Sequence, residues 1–132
     1  MKPKIGYWML SAFPVRTDMK WLDRFKYAVN GIRQLLEKDS HFALHTGFGL
    51  IAVMAGAIIG IDRVEWLFIL SAVFFVLVAE AFNTALETAV DLAEPGRHPL
   101  AGAAKDMAAG GVLLSSIYAA SVGLIVFIPY LI

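Results

Sequence analysis

Residues 64–92, VEWLFILSAVFFVLVAEAFNTALETAVDL, decide the fold of this chain. The stretch is almost entirely apolar as far as residue 79, and Glu80, Asn83, Glu87 and Asp91 follow. At about 100° per residue these four side chains lie within a stripe about 80° wide on one helix face. A helix over these 29 residues is about 43 Å long, whereas the hydrocarbon of a bilayer is only about 30 Å thick. We therefore predict a membrane-spanning helix whose polar end reaches the membrane surface.

Two further uncharged runs complete the predicted membrane domain. Residues 42–61 and 107–132 contain no Asp, Glu, Lys or Arg. Hydrophobic residues make up 59% of the 132-residue chain, which is more than is usual for a soluble domain. We predict an all-α membrane protein of one domain, residues 17–132, with spans at about 42–61, 64–92 and 101–130. The net charge of zero gives no reason to expect a nucleic-acid partner, and there is no cysteine for a disulfide framework.

The segment before the first span has the pattern of an amphipathic helix. Over residues 18–38 the apolar positions recur at i, i+3, i+4 and i+7, and Thr17 or Asp18 can cap the start. A basic amphipathic helix next to a span is expected to lie on the membrane surface. Packing of this helix on a soluble partner is the alternative. Residues 1–16 have no clear period and are either a tail or an interfacial segment.

The distribution of basic residues predicts the orientation. Only Arg63 lies between the first two spans, and Arg97 and Lys105 lie between the second and the third. The other eight of the 11 basic residues precede residue 40: Lys2, Lys4, Arg16, Lys20, Arg24, Lys26, Arg33 and Lys38. Because basic residues accumulate on the cytoplasmic side, we expect the N-terminus and the second loop in the cytoplasm and the C-terminus outside.

The polar stripe is the candidate site for chemistry. Ionisable residues in a span are costly and are by default a hypothesis of function, although a polar seam that only satisfies neighbouring helices is the simpler alternative. Oxygen ligands without cysteine suit Mg²⁺, which binds through one or two carboxylates plus phosphate oxygens. Glu80, the most deeply placed, suits a general base for a hydroxyl group at the membrane surface. Lys105 is either a phosphate ligand or a membrane anchor, and Asp39 is either a further ligand or a helix cap.

Two longer motifs resemble the small integral-membrane lipid kinases of bacteria, the prokaryotic diacylglycerol kinase and undecaprenol kinase family. The first is EAFNTALE at residues 80–87 with Val90-Asp91, and the second is HPLAGAAKDMAAG at residues 98–110. Phe25, Tyr27, Ala28 and Gly31 match the surface helix of that family. The resemblance covers residues 20–130. It implies a homotrimer with active sites between subunits at the cytoplasmic interface, ATP as phosphoryl donor and Mg²⁺ as cofactor, in the inner (cytoplasmic) membrane of a bacterium.

The resemblance also implies a role for each matching residue. Glu80 corresponds to the catalytic base, and Asn83 to an orienting residue. Glu87 corresponds to a metal ligand, and Asp39 stands where the family has a second metal-binding Glu, one methylene longer. The expected nucleotide contacts are Tyr27, Gly96, Arg97, His98, Gly102, Lys105 and Asp106.

The same motifs bear on the substrate. Asp91-Leu92 and His98-Pro99-Leu100 are similar to the undecaprenol kinase branch, so we expect undecaprenol as the lipid alcohol, with diacylglycerol as the alternative. The same residues leave two other classes of protein open. A small proton-coupled transporter would explain Glu80 but not Lys105 and Asp106, and a non-enzymatic assembly subunit would use the stripe only for packing.

Overall fold

A computed structural model describes residues 20–132 of the chain, so the predicted tail at residues 1–16 and the cap at Thr17 or Asp18 lie outside the described residues. Over that range the chain is helical: α1 is Trp21–Lys38, α2 Ser40–Ile59, α3 Arg63–Ala93 and α4 Pro99–Phe127, and a short 3₁₀ helix follows at Ile128–Tyr130. Three helices are long and apolar enough to cross a membrane: Ser40–Ile59, Arg63–Ala93 and Pro99–Tyr130. The predicted all-α class and the three spans are confirmed.

The described residues fall into two units, which divide between Arg33 and Gln34. The described part of the first unit, residues 20–33, contains most of α1 and is exposed, with Trp21 and Phe25 among its large apolar side chains. The amphipathic helix predicted from the sequence is therefore present from Trp21 onward. All three spans belong to the second unit.

Local capping interactions set the ends of the spans. Asp39 accepts hydrogen bonds from the backbone N–H groups of His41 and Phe42, so α2 starts two residues earlier than predicted. The helix ends at Ile59 because Gly60 has the left-handed φ of 79° that favours glycine. Asp62 then starts α3 through a reciprocal capping box with Glu65.

The break between α3 and α4 has the position that its Pro and Gly residues predict. The helix α3 ends at Ala93, and α4 begins with Pro99 in its first position. The missing N–H of proline costs nothing there. The side chain of His98 caps α4 by accepting a hydrogen bond from Leu100 N at 3.2 Å. The third span is thus two residues longer at its start than the predicted 101–130.

The core lies where α3 contacts both neighbouring spans. Its buried apolar residues are Ile61, Ile69, Ala72, Val122 and Val126. Close approach of α2 to α3 depends on glycine, because a Cβ added at Gly49 would lie 2.7 Å from Val73 Cγ1 and one at Gly56 would lie 3.2 Å from Trp66 Cη2. Large apolar side chains cover the outer faces of the spans, as is expected of helices that face lipid.

Candidate functional site

The polar stripe continues the packed face of α3. Ile69, Ala72 and Val76 are buried on that face, and Glu80 follows one turn later with only 4% of its surface exposed. Neither Gly nor Pro interrupts α3 here, so the helical period carries the face from apolar to polar residues without a change of direction. The buried Glu80 therefore lies on the same face of α3 as the buried apolar residues that precede it.

Asn83 and Glu87 form a pair one turn further along α3. The Asn83 side-chain amide donates a hydrogen bond to Glu87 Oε1 at 3.1 Å. This bond fixes the orientation of the amide, so that Asn83 Oδ1 points elsewhere. Among residues 20–132, neither Asn83 Oδ1 nor Glu80 Oε2 has a hydrogen-bond partner, although both atoms are buried. Buried acceptors without a donor cost about 1–3 kcal/mol each, so a donor or a cation that binds at this face would satisfy them.

Asp39 joins α2 to the same face. One carboxylate oxygen caps α2, and the other accepts a hydrogen bond from the Thr84 hydroxyl group. Burial acts to raise the pKa of the Asp39 carboxyl group, but the hydrogen bonds from Thr84 and from the N–H groups of Phe42 and His41 outweigh it, with a smaller contribution from the His41 charge. The pKa therefore lies below its ordinary value of 3.8. Asp39 is held as a carboxylate close to Thr84, which is between Asn83 and Glu87 in sequence.

A polar cleft of about 460 Å³ lies at the end of α3 and the start of α4. Five of the seven expected nucleotide contacts line this cleft: Gly96, Arg97, His98, Gly102 and Lys105. The glycine at residue 102 is in open space, since a Cβ added there would meet no atom within 4 Å, so the first turns of α4 leave room for a ligand. The cleft thus brings Asp91 of the first motif together with His98, Gly102 and Lys105 of the second.

An ion pair closes one side of this cleft. Lys105 Nζ lies 2.5 Å from Asp91 Oδ1, and the two side chains are 34% and 65% exposed. Asp91 is the last member of the polar stripe, so the ion pair connects the stripe on α3 to the cleft. Asp106 is exposed and does not line the cleft. Tyr27 belongs to the first compact unit, and its contact with a nucleotide stays a prediction.

The donor set fits a hard cation that also binds phosphate. Within residues 20–132, no three His, Cys, Asp or Glu side chains form a cluster that could hold a metal ion by themselves. The fit depends on oxygen atoms: Asn83 Oδ1 is buried and unpartnered, and only one oxygen of Glu87 accepts the Asn83 amide. Mg²⁺ usually keeps water and takes one or two carboxylates together with phosphate oxygens. In this structure both oxygens of Asp39 already accept hydrogen bonds, so its role as a metal ligand stays a prediction.

Two residues near the site were missed or set aside at the level of sequence. Thr84 lies between the matched residues and gave no separate indication, yet it is the link to Asp39. His45 was not among the predicted site residues, yet it lies near enough to Glu80 for its charge to act on that carboxyl group. Both contacts depend on how α2 and α3 are aligned, which hydropathy does not reveal.

Comparison with known proteins agrees with the motifs. The model of the family "Prokaryotic diacylglycerol kinase" matches residues 26–127. The chain is 31% identical over 112 residues to an undecaprenol kinase of Bacillus subtilis, covering 85% of this chain and 91% of that protein. It is 34% identical over 106 residues to a diacylglycerol kinase of Synechocystis sp., covering 80% of this chain and 61% of that protein. A diacylglycerol kinase of Escherichia coli (strain K12) is 30% identical over 93 residues, covering 70% of this chain and 76% of that protein.

The family match extends from α1 to the end of α4 and so includes the buried Glu80, the Asn83–Glu87 pair and the polar cleft. A transporter or a packing subunit is therefore not the class of this protein. The chain belongs to the prokaryotic diacylglycerol kinase family, and it is a lipid kinase of a bacterial membrane.

Proposed function

We propose that this protein transfers the γ-phosphoryl group of ATP to the hydroxyl group of a membrane lipid alcohol, with undecaprenol as the substrate. The observation that carries this proposal is the continuity of one surface, from the buried Glu80 through the Asn83–Glu87 pair to the Asp91–Lys105 ion pair on the wall of the cleft. The lipid end of this surface lies in a span, and the other end lies at the polar connection between two spans.

The choice of undecaprenol is supported by the relative from Bacillus subtilis, which matches over most of its own length. Residues 91–92 and 98–100 are similar to the same branch of the family. Diacylglycerol is the alternative substrate, because relatives with that activity in their names match over 70–80% of this chain. Both lipids present a hydroxyl group at the membrane surface, so one catalytic face serves either.

In the proposed reaction, Glu80 accepts the proton of the lipid hydroxyl group. The lipid oxygen forms a bond to the γ-phosphorus, and the bond between that phosphorus and the β-phosphate oxygen breaks, so that ADP leaves. Burial keeps water away from the Glu80 carboxylate, and competition from hydrolysis is reduced. Asn83 orients Glu87 through the hydrogen bond between their side chains.

The basic residues of the cleft bind the phosphates of the nucleotide. Lys105 and Arg97 are the cations that line it, and charge-assisted hydrogen bonds to phosphate are among the stronger ones in proteins. Gly96 and Gly102 give the nucleotide room, His98 and Tyr27 contact its other parts, and Asp106 completes the set next to Lys105. Bound Mg²⁺ would neutralise charge that develops on the phosphate oxygens, and Glu87, with Asp39 nearby, would hold it.

The proposed setting is the inner membrane of a bacterium, with the N-terminus and the polar cleft in the cytoplasm and the C-terminus outside. The excess of basic residues before residue 40 supports this orientation. We include a homotrimer in the proposal. The exposed apolar side chains on the spans provide surface for subunit contacts as well as for lipid.

A direct test measures ATP-dependent phosphorylation in mixed micelles that contain undecaprenol or diacylglycerol. We expect the wild-type protein to phosphorylate undecaprenol at a higher kcat/KM, and Glu80→Gln and Glu87→Gln each to lose at least about a hundredfold in rate. Ser121→Ala is a control, because within residues 20–132 the Ser121 hydroxyl group donates only to the carbonyl group of Ile117 in its own helix. Full activity of both Gln variants would show that the mechanism is wrong, and a preference for diacylglycerol would change the substrate.

A further inference from the structure

The alignment of α2 against α3 determines what lies next to Glu80. Asp39 on α2 contacts Thr84 on α3, and Gly49 on α2 contacts Val73 on α3. The two helices are therefore antiparallel, because the later residue of α2 contacts the earlier residue of α3. Glu80 is between the two contacts, and the facing part of α2 is therefore the segment between residues 39 and 49.

Two side chains of that segment point into the contact. Phe42 is buried and is level with Glu80 in this alignment. His45, one turn further along α2, is half-buried and lines a cavity of about 400 Å³ between the three spans. Val76 lines the same cavity and is one turn before Glu80 on the same face of α3. The imidazole group of His45 is therefore at the end of the cavity that leads to Glu80.

This cavity offers His45 few polar partners. Its lining is apolar or small except for His45 and Ser116, and no described residue forms a hydrogen bond with the imidazole group. Of the ionisable groups that act on Glu80, His45 has the largest electrostatic interaction, ahead of Asp39, His41 and Glu87. The ring N–H of the half-buried His45 has no hydrogen-bond partner among the described residues, and Glu80 Oε2 is buried without one. Together they can form one charge-assisted hydrogen bond.

We infer that His45 is a positioning residue for the catalytic base, and that its ring N–H donates a hydrogen bond to Glu80 Oε2 in the working enzyme. Glu80 Oε2 is fully buried, so a lipid hydroxyl group that arrives from the membrane meets the other oxygen, Oε1. A donor on Oε2 holds the carboxylate in one orientation and keeps Oε1 directed at the substrate. This role rests on the proposed function of Glu80 as the base.

The inference is tested with three substitutions of His45 in the full-length enzyme, assayed for kcat and for the KM of ATP with undecaprenol in mixed micelles. His45→Leu removes the donor and keeps a similar volume, His45→Gln retains an N–H at a similar reach, and His45→Asn retains the amide but is shorter. We expect His45→Leu and His45→Asn to lower kcat about tenfold or more with the KM of ATP unchanged, and His45→Gln to stay within about threefold of wild type. Ser116→Ala, in the same cavity, is the control and should have wild-type kcat.

A second arm separates a role through Glu80 from a purely structural role. In a Glu80→Gln background, His45→Leu should not reduce the residual rate further, because the two residues act as a unit. Equal loss of kcat in all three His45 variants, wild-type kcat in His45→Leu, or an additional loss in the Glu80→Gln background would each overturn the inference. A wild-type enzyme that phosphorylates no lipid would instead refute the proposed function, so the two failures are distinguishable.

Discussion

The two glycines at residues 47 and 49 of α2 allow a matched test of helix packing. A Cβ added at Gly49 would lie 2.7 Å from Val73 Cγ1, whereas one added at Gly47 would meet no atom within 4 Å. Carbon atoms in contact are normally about 3.5–4.0 Å apart, so Gly49→Ala forces an overlap of roughly 1 Å. Valine has one strongly preferred rotamer in a helix, and Val73 therefore cannot turn away without strain.

The magnitude follows from a comparison of the two variants. Both substitutions gain about 1 kcal/mol from the higher helix propensity of alanine, and this gain cancels in the difference. Overpacking in a close contact typically costs about 1–3 kcal/mol. We expect Gly49→Ala to be less stable than Gly47→Ala by that amount, and to have a lower kcat, because the strain moves α2 away from the face that carries Glu80.

The assay is equilibrium unfolding in mixed detergent micelles, followed by circular dichroism, together with the rate of lipid phosphorylation. A third variant, Gly49→Ala with Val73→Ala, removes the overlapping methyl groups and should show a favourable coupling of about 1 kcal/mol or more in a double-mutant cycle. Equal loss of stability in Gly47→Ala and Gly49→Ala would refute the reasoning. So would a coupling energy of zero between residues 49 and 73.

Three further predictions concern the polar face and the cleft. Thr84→Val removes the hydrogen bond to Asp39 and should lower the free energy of unfolding by about 1 kcal/mol at neutral pH. Because the pKa of Asp39 in the folded protein is below 3.8, the hydrogen bond stabilises the protein above pH 3.8, and this stabilisation is lost as the pH falls through the folded-state pKa. Plots of stability against pH for the variant and the wild type should therefore converge in acid. Lys105→Met should raise the KM of ATP at least about tenfold, and a KM equal to that of the wild type would contradict the role of Lys105 in binding phosphate. Asp91→Asn should change the unfolding free energy by less than about 1 kcal/mol, because its ion pair with Lys105 is solvent-exposed. Removal of divalent cations with EDTA should abolish phosphorylation, and added Mg²⁺ should restore it; activity that persists in EDTA would exclude a metal-dependent reaction.

Much of the fold could be predicted from sequence because the spans depend on local properties. Hydropathy and length gave three membrane helices, and the Pro and Gly residues of 94–99 gave the break before α4. The exact ends were missed by one to three residues, since they depend on side-chain capping. Asp39 begins α2 and His98 begins α4 in ways that composition does not specify.

The polar face was predictable for a similar reason, and the contacts around it were not. Helical period alone places Glu80, Asn83 and Glu87 together. Thr84 and His45 depend instead on the alignment of two helices, and that alignment depends on the contact between Gly49 and Val73. No pattern within one helix records which side chain of another helix it will meet.

The short connection between α2 and α3 has a consequence for how the protein enters the membrane. Only residues 60–62 separate the two helices, and Gly60 and the Asp62 capping box complete the turn locally. A pair of spans joined so tightly can insert as one helical hairpin. In the proposed orientation, the tip of the hairpin carries across the bilayer only Asp62, Arg63 and the nearby Glu65. Each charge is costly at the centre of a bilayer, so this small number keeps the barrier to translocation low. Lengthening the turn with charged residues would therefore slow biogenesis before it affected the folded enzyme.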